Sequence, residues 1–225
     1  MPRRDFHAPP LRAFATLLAF AALLAGTSCR SRTPVPAPDS IDPASLSPDA
    51  RIEQSLWLKA GGRSFLGRGV VQKRGDRLDL LVLAPTGNRL LTVRDDGGTI
   101  TSEARFAGLE RLDPRFLLAD VRWAFFGGCP RIDTGGAIAP APPGGSLERT
   151  CTIGHTTVRE VDDPATGDLL HREASWGGVT AHLDFLQWAG EGADRHPVKV
   201  RLENERLGYE WEVQVDGWKR LGPGN

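Results

Sequence analysis

The sequence predicts a mainly β protein, a curved antiparallel sheet or open barrel with one helix inserted midway along the chain. Short runs of alternating apolar residues are separated by turn signals such as Arg74-Gly75-Asp76 and Asp95-Asp96-Gly97-Gly98. A single segment rich in Leu and Phe, 115–126, has helical character. The last two runs, 197–203 and 207–215, alternate between apolar and charged side chains, which is typical of a sheet with one face in water.

The stretch 64–93 lies at the centre of this prediction, because its middle run is apolar on both faces. One face carries Leu78, Leu80, Val82 and Ala84, and the other carries Leu81 and Leu83. A strand of this kind is normally covered on both sides. Two interpretations stay open: the core of an ordinary sandwich or barrel, or a curved sheet around an apolar cavity.

The remaining elements follow in two groups on either side of the helix. Alternation and turn signals predict strands at 55–60, 63–73, 77–84, 89–93 and 99–106, and then at 152–161, 168–176, 179–188, 197–203 and 207–215.

The helix is predicted from its first and last residues as well as from its pattern. Asp113 is a good N-cap, Pro114 suits the first helical position, and Gly127-Gly128 ends the run. Apolar residues cover more than half of its circumference, with Arg115, Asp120 and Arg122 as the polar stripe. Such a helix needs contact on more than one side. It is either plain core across one end of the sheet or a lid over an apolar pocket.

The N-terminus predicts export. A basic start and an apolar run of residues make 1–28 a signal peptide, and Gly26-Thr27-Ser28 before Cys29 resembles the lipobox of bacterial lipoproteins. That resemblance implies cleavage before Cys29, acylation of this cysteine, and, with Arg30 next, an outer-membrane location. An ordinary secretory signal with a free cysteine is the alternative. We expect a lipidated tether at 29–54, a β domain at 55–218 and a tail at 219–225.

The other two cysteines, Cys129 and Cys151, are expected to form a disulfide, since unlipidated cysteines of an exported protein usually pair. Neither lies in a CxxC motif, which leaves a metal site at these cysteines without support. The Gly- and Pro-rich segment between them predicts a loop that is closed at its base by this bridge.

Composition and motifs exclude several classes of function. Removal of residues 1–28 takes away three Arg and one Asp of the 28 basic and 28 acidic residues, so the mature chain is near neutral and nucleic acid is not an expected partner. No hydrolase, metalloprotease or P-loop motif occurs, so we expect no catalytic residue and no cofactor. His171 with Glu173, and His182 with Asp184, would form a metal site only on adjacent strands, and histidines in strands are usually surface residues. We therefore expect no metal.

Residues 75–98, GDRLDLLVLAPTGNRLLTVRDDGG, resemble a strand–turn–strand segment of the LolA/LolB-like outer-membrane lipoprotein superfamily, and Leu207-Gly208-Tyr209-Glu210-Trp211 resembles the closing strand of its LolB-like lipoproteins. This resemblance implies an open half-barrel with a helical lid that takes up acyl chains on its concave face. Lipoproteins are then the expected ligands, and a periplasmic carrier or envelope protein is the expected partner.

The strand and helix patterns lead us to expect an apolar cavity between sheet and helix, and the resemblance implies that this cavity binds an acyl chain and helps to transfer or localise it, without catalysis. The expected lining residues are Val70, Leu80, Val82, Leu91, Leu117, Val121, Phe125 and Trp211. A structural or assembly lipoprotein with a filled core and a protein partner is the alternative.

Overall fold

Eleven strands and one α-helix make up the described part of the chain in the computed structural model, which covers residues 49–60, 62–105, 113–129 and 147–222. In chain order, these elements are β1 (Ala50–Ala60), β2 (Arg63–Arg74), β3 (Arg77–Leu83), β4 (Arg89–Asp96), β5 (Thr99–Ala104), α1 (Pro114–Phe125), β6 (Leu147–Ile153), β7 (Thr156–Asp162), β8 (Leu169–Trp176), β9 (Val179–Ala189), β10 (His196–Asn204) and β11 (Tyr209–Arg220).

The strands form one antiparallel sheet in the order β5-β4-β3-β2-β1-β11-β10-β9-β8-β7-β6. Each half is a meander of neighbouring strands, and the two halves join where the first strand pairs with the last, Ala50 opposite Arg220 and Ala60 opposite Tyr209. The edge strands β5 and β6 do not pair with each other, so the sheet is open. The predicted fold class, a curved antiparallel half-barrel with one inserted helix, is confirmed.

The domain begins earlier than the sequence indicated. Strand β1 starts at Ala50, inside the segment 29–54 that we assigned to the tether, and β11 continues to Arg220, beyond the expected end at 218. Ala50 and Ile52 are fully buried, because both point to the inner face and pair with β2 and β11 on either side. The sparse apolar residues of this stretch gave no local sign of a strand that lies in the middle of the sheet.

The predicted strand 152–161 is wrong in its extent, because the chain folds back there as a hairpin. Strand β6 ends at Ile153, and β7 begins at Thr156. Gly154 in between has a φ of 61°, a left-handed conformation that glycine adopts without strain. The expected loop between the cysteines is therefore strand from Leu147 onward, and its remaining residues lie outside the described part of the chain.

The helix α1 lies on the inner face of the sheet and begins as predicted. The Asp113 carboxylate accepts a hydrogen bond from the Arg115 amide at 2.9 Å, and Pro114 occupies the first turn. All residues from Phe116 to Phe125 are buried. The predicted polar stripe is wrong in this respect: Arg115 is exposed, but Asp120 and Arg122 have only 1% and 2% of their surface accessible.

Burial on every side requires that strands from both halves of the sheet reach the helix. On one side α1 contacts β4 and β5, and on the other it contacts β10. The rings of Phe116 on the helix and Trp176 on β8 also approach each other, with centroids 6.2 Å apart. The core thus lies between the helix and the concave face of the sheet.

Candidate functional site

A small cavity of about 40 Å³ lies between α1 and the central strands. Its walls are almost wholly apolar, and they come from β1, β3, β4, β11 and the helix. Seven of the residues expected to line it do so, namely Leu80, Val82, Leu91, Leu117, Val121, Phe125 and Trp211, and the wall is completed by Gln54, Leu56, Leu58 and Val213.

Val70 does not line this cavity. Side chains alternate between the two faces of a strand, and in β2 it is Gly69 and Val71 that are buried on the inner face, whereas Val70 lies on the outer face. The sequence could not select between Val70 and Val71, since both are apolar and adjacent. The missed residues Leu56 and Leu58 follow the same period of two as Ile52, so an earlier strand start would have identified them.

One polar side chain, Gln54, belongs to the cavity wall. It is 4% exposed, and within the described residues its Oε1 has no hydrogen-bond partner. Gly69 lies opposite Gln54 in the β1–β2 register, and a Cβ at that glycine would come within 2.8 Å of the Gln54 Nε2. The glycine therefore leaves room for an amide whose oxygen is available to accept a hydrogen bond inside the wall.

A buried carboxyl group joins the helix to β11. The Asp120 Oδ2 accepts hydrogen bonds from the Tyr209 hydroxyl at 2.6 Å and from the Trp211 indole N–H at 3.3 Å. Burial raises the pKa of Asp120 to about 7, although both hydrogen bonds oppose this rise. Burial and the neighbouring Asp120 in turn raise the pKa of Tyr209 well above its ordinary value. The carboxyl group is thus close to its titration point at neutral pH.

A buried ion pair joins the helix to the end of β4, next to the turn that leads into β5. The Arg122 guanidinium bonds to Asp95 Oδ2, and the Asp95 Oδ1 accepts a hydrogen bond from the Gly98 amide at 2.7 Å. Burial lowers the pKa of Arg122, and the charge of Asp95 opposes that effect. The turn that the sequence predicted from Asp95 to Gly98 therefore also holds the middle of the helix.

The C-terminal end of the helix is joined to β8 through Arg172. This guanidinium donates a hydrogen bond to the Trp123 carbonyl oxygen, and its Nε donates to Glu160 at 2.8 Å. Burial lowers the pKa of Arg172, whereas Glu160 opposes the change. The expected disulfide is present, with the Cα atoms of Cys129 and Cys151 5.6 Å apart, and it fastens the residues after the helix to β6.

Other predicted sites are distributed as follows. His171, Glu173, His182 and Asp184 lie side by side on neighbouring strands, on the face of the sheet away from the helix. The predicted lipidation site, Cys29, and the predicted signal peptide lie outside the described residues. No helix within the described ranges is both long enough and apolar enough to cross a bilayer.

The family model for DUF3261, described as a protein of unknown function, matches residues 51–215. The chain belongs to the DUF3261 family. Its family match begins in β1, within the segment that the sequence assigned to the tether, and it ends in β11. The match therefore includes residues from every strand of the sheet and the whole of the helix.

Two solved structures are similar to this DUF3261 protein. A DUF1329 family protein from Desulfovibrio piger aligns with a TM-score of 0.46 and 14% identity, over 82% of this chain and 90% of that one. A LolA superfamily protein from Nitrosomonas europaea aligns with a TM-score of 0.45 and 9% identity, over 80% and 90%. The second belongs to the superfamily that the sequence resembles. None of the curated proteins has a significantly matching sequence.

Proposed function

We propose that this DUF3261 protein is a lipoprotein anchored in the outer membrane through Cys29, that it faces the periplasm, and that it binds acyl chains or the lipoproteins that carry them and helps to transfer or localise them. It would do so without catalysing a reaction. The observation that carries the proposal is the apolar cavity between α1 and the concave face of the sheet. Burial of an acyl chain there would contribute about 25 cal/mol for each Å² of apolar surface removed from water.

Acyl binding in this cavity would require the helix to move. Its volume of about 40 Å³ lies far below the roughly 300 Å³ at the lower end of ligand pockets. An acyl chain would therefore enter only after α1 moves away from the sheet, which makes the described conformation the closed one.

Polar atoms under the helix support such a movement. Among the described residues, the Asp120 Oδ1, the Arg122 Nε and the Trp123 indole nitrogen are buried and have no hydrogen-bond partner. A buried polar group without a partner costs about 1–3 kcal/mol. Water would reach these atoms when the helix opens, so the open state recovers part of the free energy that is lost when apolar contacts separate.

A structural or assembly lipoprotein with a protein partner is the second candidate. The small cavity volume favours it, because a nearly filled core needs no ligand. The three polar connections of α1, to β11, β4 and β8, also favour a helix that stays in place.

Native mass spectrometry of the full-length protein, isolated with its anchor in a mild detergent and accompanied by lipid extraction, tests the proposal. We expect a co-purifying acyl species that exceeds the covalent acyl groups in mass. A fluorescent fatty acid then measures binding, and Leu80→Glu is expected to abolish it, since Leu80 is buried in the cavity wall. Val121→Trp fills the cavity without adding a charge and is expected to weaken binding as well.

Leu66→Glu is the matched control, because Leu66 is 63% exposed and lies outside this cavity. It should bind the probe as the unchanged protein does. Normal binding of the probe by folded Leu80→Glu and Val121→Trp proteins would show that the cavity is not the acyl-binding site. A native mass with no bound ligand, together with no fluorescence gain from the probe, would favour the structural or assembly lipoprotein. Crosslinking would then identify its protein partner.

A further inference from the structure

Two histidines and two carboxylates converge on the outer face of β8 and β9. In the register of these strands, Glu173 lies opposite His182, and His171 lies opposite Asp184. The two pairs are neighbours on one face of the sheet, and the His171 and His182 rings stack with centroids 6.0 Å apart. All four residues are half-buried. Two hydrogen-bonded strands therefore hold the four side chains together.

The spacing of three of these side chains suits a single metal ion. The Glu173 Oε1 lies 3.9 Å from the His171 Nε2 and 3.4 Å from the His182 Nδ1. One ligand atom from each of the three residues lies within 4.8 Å of the others. Ligands at about 2.0–2.1 Å from a tetrahedral ion are separated by roughly 3.4 Å. The distance from Glu173 to His182 already has this value, and the histidine side chains would rotate to bring the remaining ligand atoms to it.

The fourth residue orients one of the ligands. The Asp184 Oδ1 lies 2.8 Å from the His171 Nδ1. An ionised carboxylate only accepts hydrogen bonds, so Nδ1 carries the proton and the lone pair of His171 is on Nε2, the atom nearest Glu173. A carboxylate that binds the second ring nitrogen of a histidine is the usual partner of a metal-binding imidazole.

The charges around the cluster also suit a cation. Arg159, which faces it from β7, lies 3.5 Å from the Glu173 Oε2, the oxygen that points away from the histidines. Its closer partner is Glu148, at 2.7 Å. On the other side, β10 places Arg201 opposite Asp184 and Glu203 opposite His182 on the same face. The three carboxylates of Glu173, Asp184 and Glu203 outnumber the two guanidiniums, so the cluster is negative when both histidines are neutral.

We propose that this cluster is a Zn²⁺ site, with His171, Glu173 and His182 as ligands and Asp184 as a positioning residue. Imidazole nitrogens select a transition metal over Ca²⁺ or Mg²⁺, which prefer oxygen ligands. Three protein ligands leave one tetrahedral position open to water. The site lies on the opposite face of the sheet from the apolar cavity, so it is independent of acyl binding.

Zinc binding by the full-length protein, purified without a polyhistidine tag, tests the site. After dialysis against micromolar Zn²⁺, elemental analysis is expected to find one zinc per chain. Competition with a chromophoric chelator then measures affinity. We expect at least a tenfold loss in Glu173→Gln and complete loss in the double variant His171→Gln/His182→Gln. Asp184→Asn should still bind one zinc, but with an affinity about 10- to 100-fold lower, as for other metal sites that lose a carboxylate partner of a ligating histidine.

His196→Gln is the matched control, because His196 stacks on Trp218 and lies outside the cluster. It should bind zinc as the unchanged protein does. Circular dichroism confirms that each variant is folded. A second measurement avoids variants altogether: bound Zn²⁺ should protect His171 and His182, but not His196, from diethyl pyrocarbonate, as read by peptide mass spectrometry. No zinc at micromolar concentration, unchanged affinity in the folded double variant, or equal modification of the three histidines would overturn the proposal.

Discussion

Replacement of Asp120 by asparagine should remove a pH dependence from the stability of this protein. The carboxyl group is buried beneath α1, and its pKa in the folded protein is about 7, against an ordinary value of 3.8. Asparagine has nearly the same shape and keeps an oxygen that can accept the hydrogen bonds from Tyr209 and Trp211. The two proteins therefore differ mainly in whether this side chain can ionise.

The sign of the effect follows from where the proton is held. Between about pH 4 and pH 7 the folded chain keeps the proton of Asp120, whereas the unfolded chain has lost it, so the free energy of unfolding falls as the pH rises. Each pH unit in this window costs about 1.4 kcal/mol, which gives a total loss on the order of 4 kcal/mol. Above the folded pKa the loss is complete.

Urea unfolding followed by tryptophan fluorescence between about pH 5 and pH 8 measures this loss. The difference between the unchanged protein and Asp120→Asn is the informative quantity, because all other titrating groups are common to both, and it should fall by about 3 kcal/mol over that range. Tyr209→Phe removes the 2.6 Å hydrogen bond that opposes the rise in the pKa of Asp120, so this pKa should rise further. The free energy of unfolding of that variant should therefore continue to fall at higher pH than in the unchanged protein. Parallel curves for the unchanged protein and Asp120→Asn would refute the reasoning.

Two further predictions concern how the helix is held. Arg122→Met leaves the fully buried Asp95 without its counter-charge and should lower the free energy of unfolding in urea by about 3–5 kcal/mol. The double variant Arg122→Met/Asp95→Asn should recover most of this loss. A double variant as unstable as the single one would contradict this account. Cys129→Ala/Cys151→Ala opens a loop with a sequence separation of 22 and should lower the free energy of unfolding by about 3 kcal/mol. Reduction of the unchanged protein should lower its melting temperature by the same amount as this double substitution does. A larger decrease in the variant would argue against loop closure as the cause.

Much of the cavity wall could be predicted because its signal is local. Leu80 and Val82 share one face of a strand with a period of two, and Leu117 and Val121 share one face of a helix, so each set points in one direction once its element is identified. Where both faces of a strand are apolar, as at Val70, the same argument selects no face. The proposed zinc site could not be predicted in this way, since its residues belong to two strands whose register had to be known.

The sequence by itself determined most of the elements and their order, because the alternating runs, the glycine turns between them, and the helix from Asp113 to Gly127 all depend on contacts between residues that are near in the chain. The hairpin of β6 and β7 and the start of β1 are the exceptions. Only the tertiary structure decided that β1 lies at the centre of the sheet beside β11, because that pairing joins residues from opposite ends of the domain. It also decided that Asp120 and Arg122 are buried. Their polarity indicates a solvated helix face, but a curved sheet reaches the helix from both sides, and the groups that satisfy them, Tyr209 and Asp95, belong to strands distant in sequence.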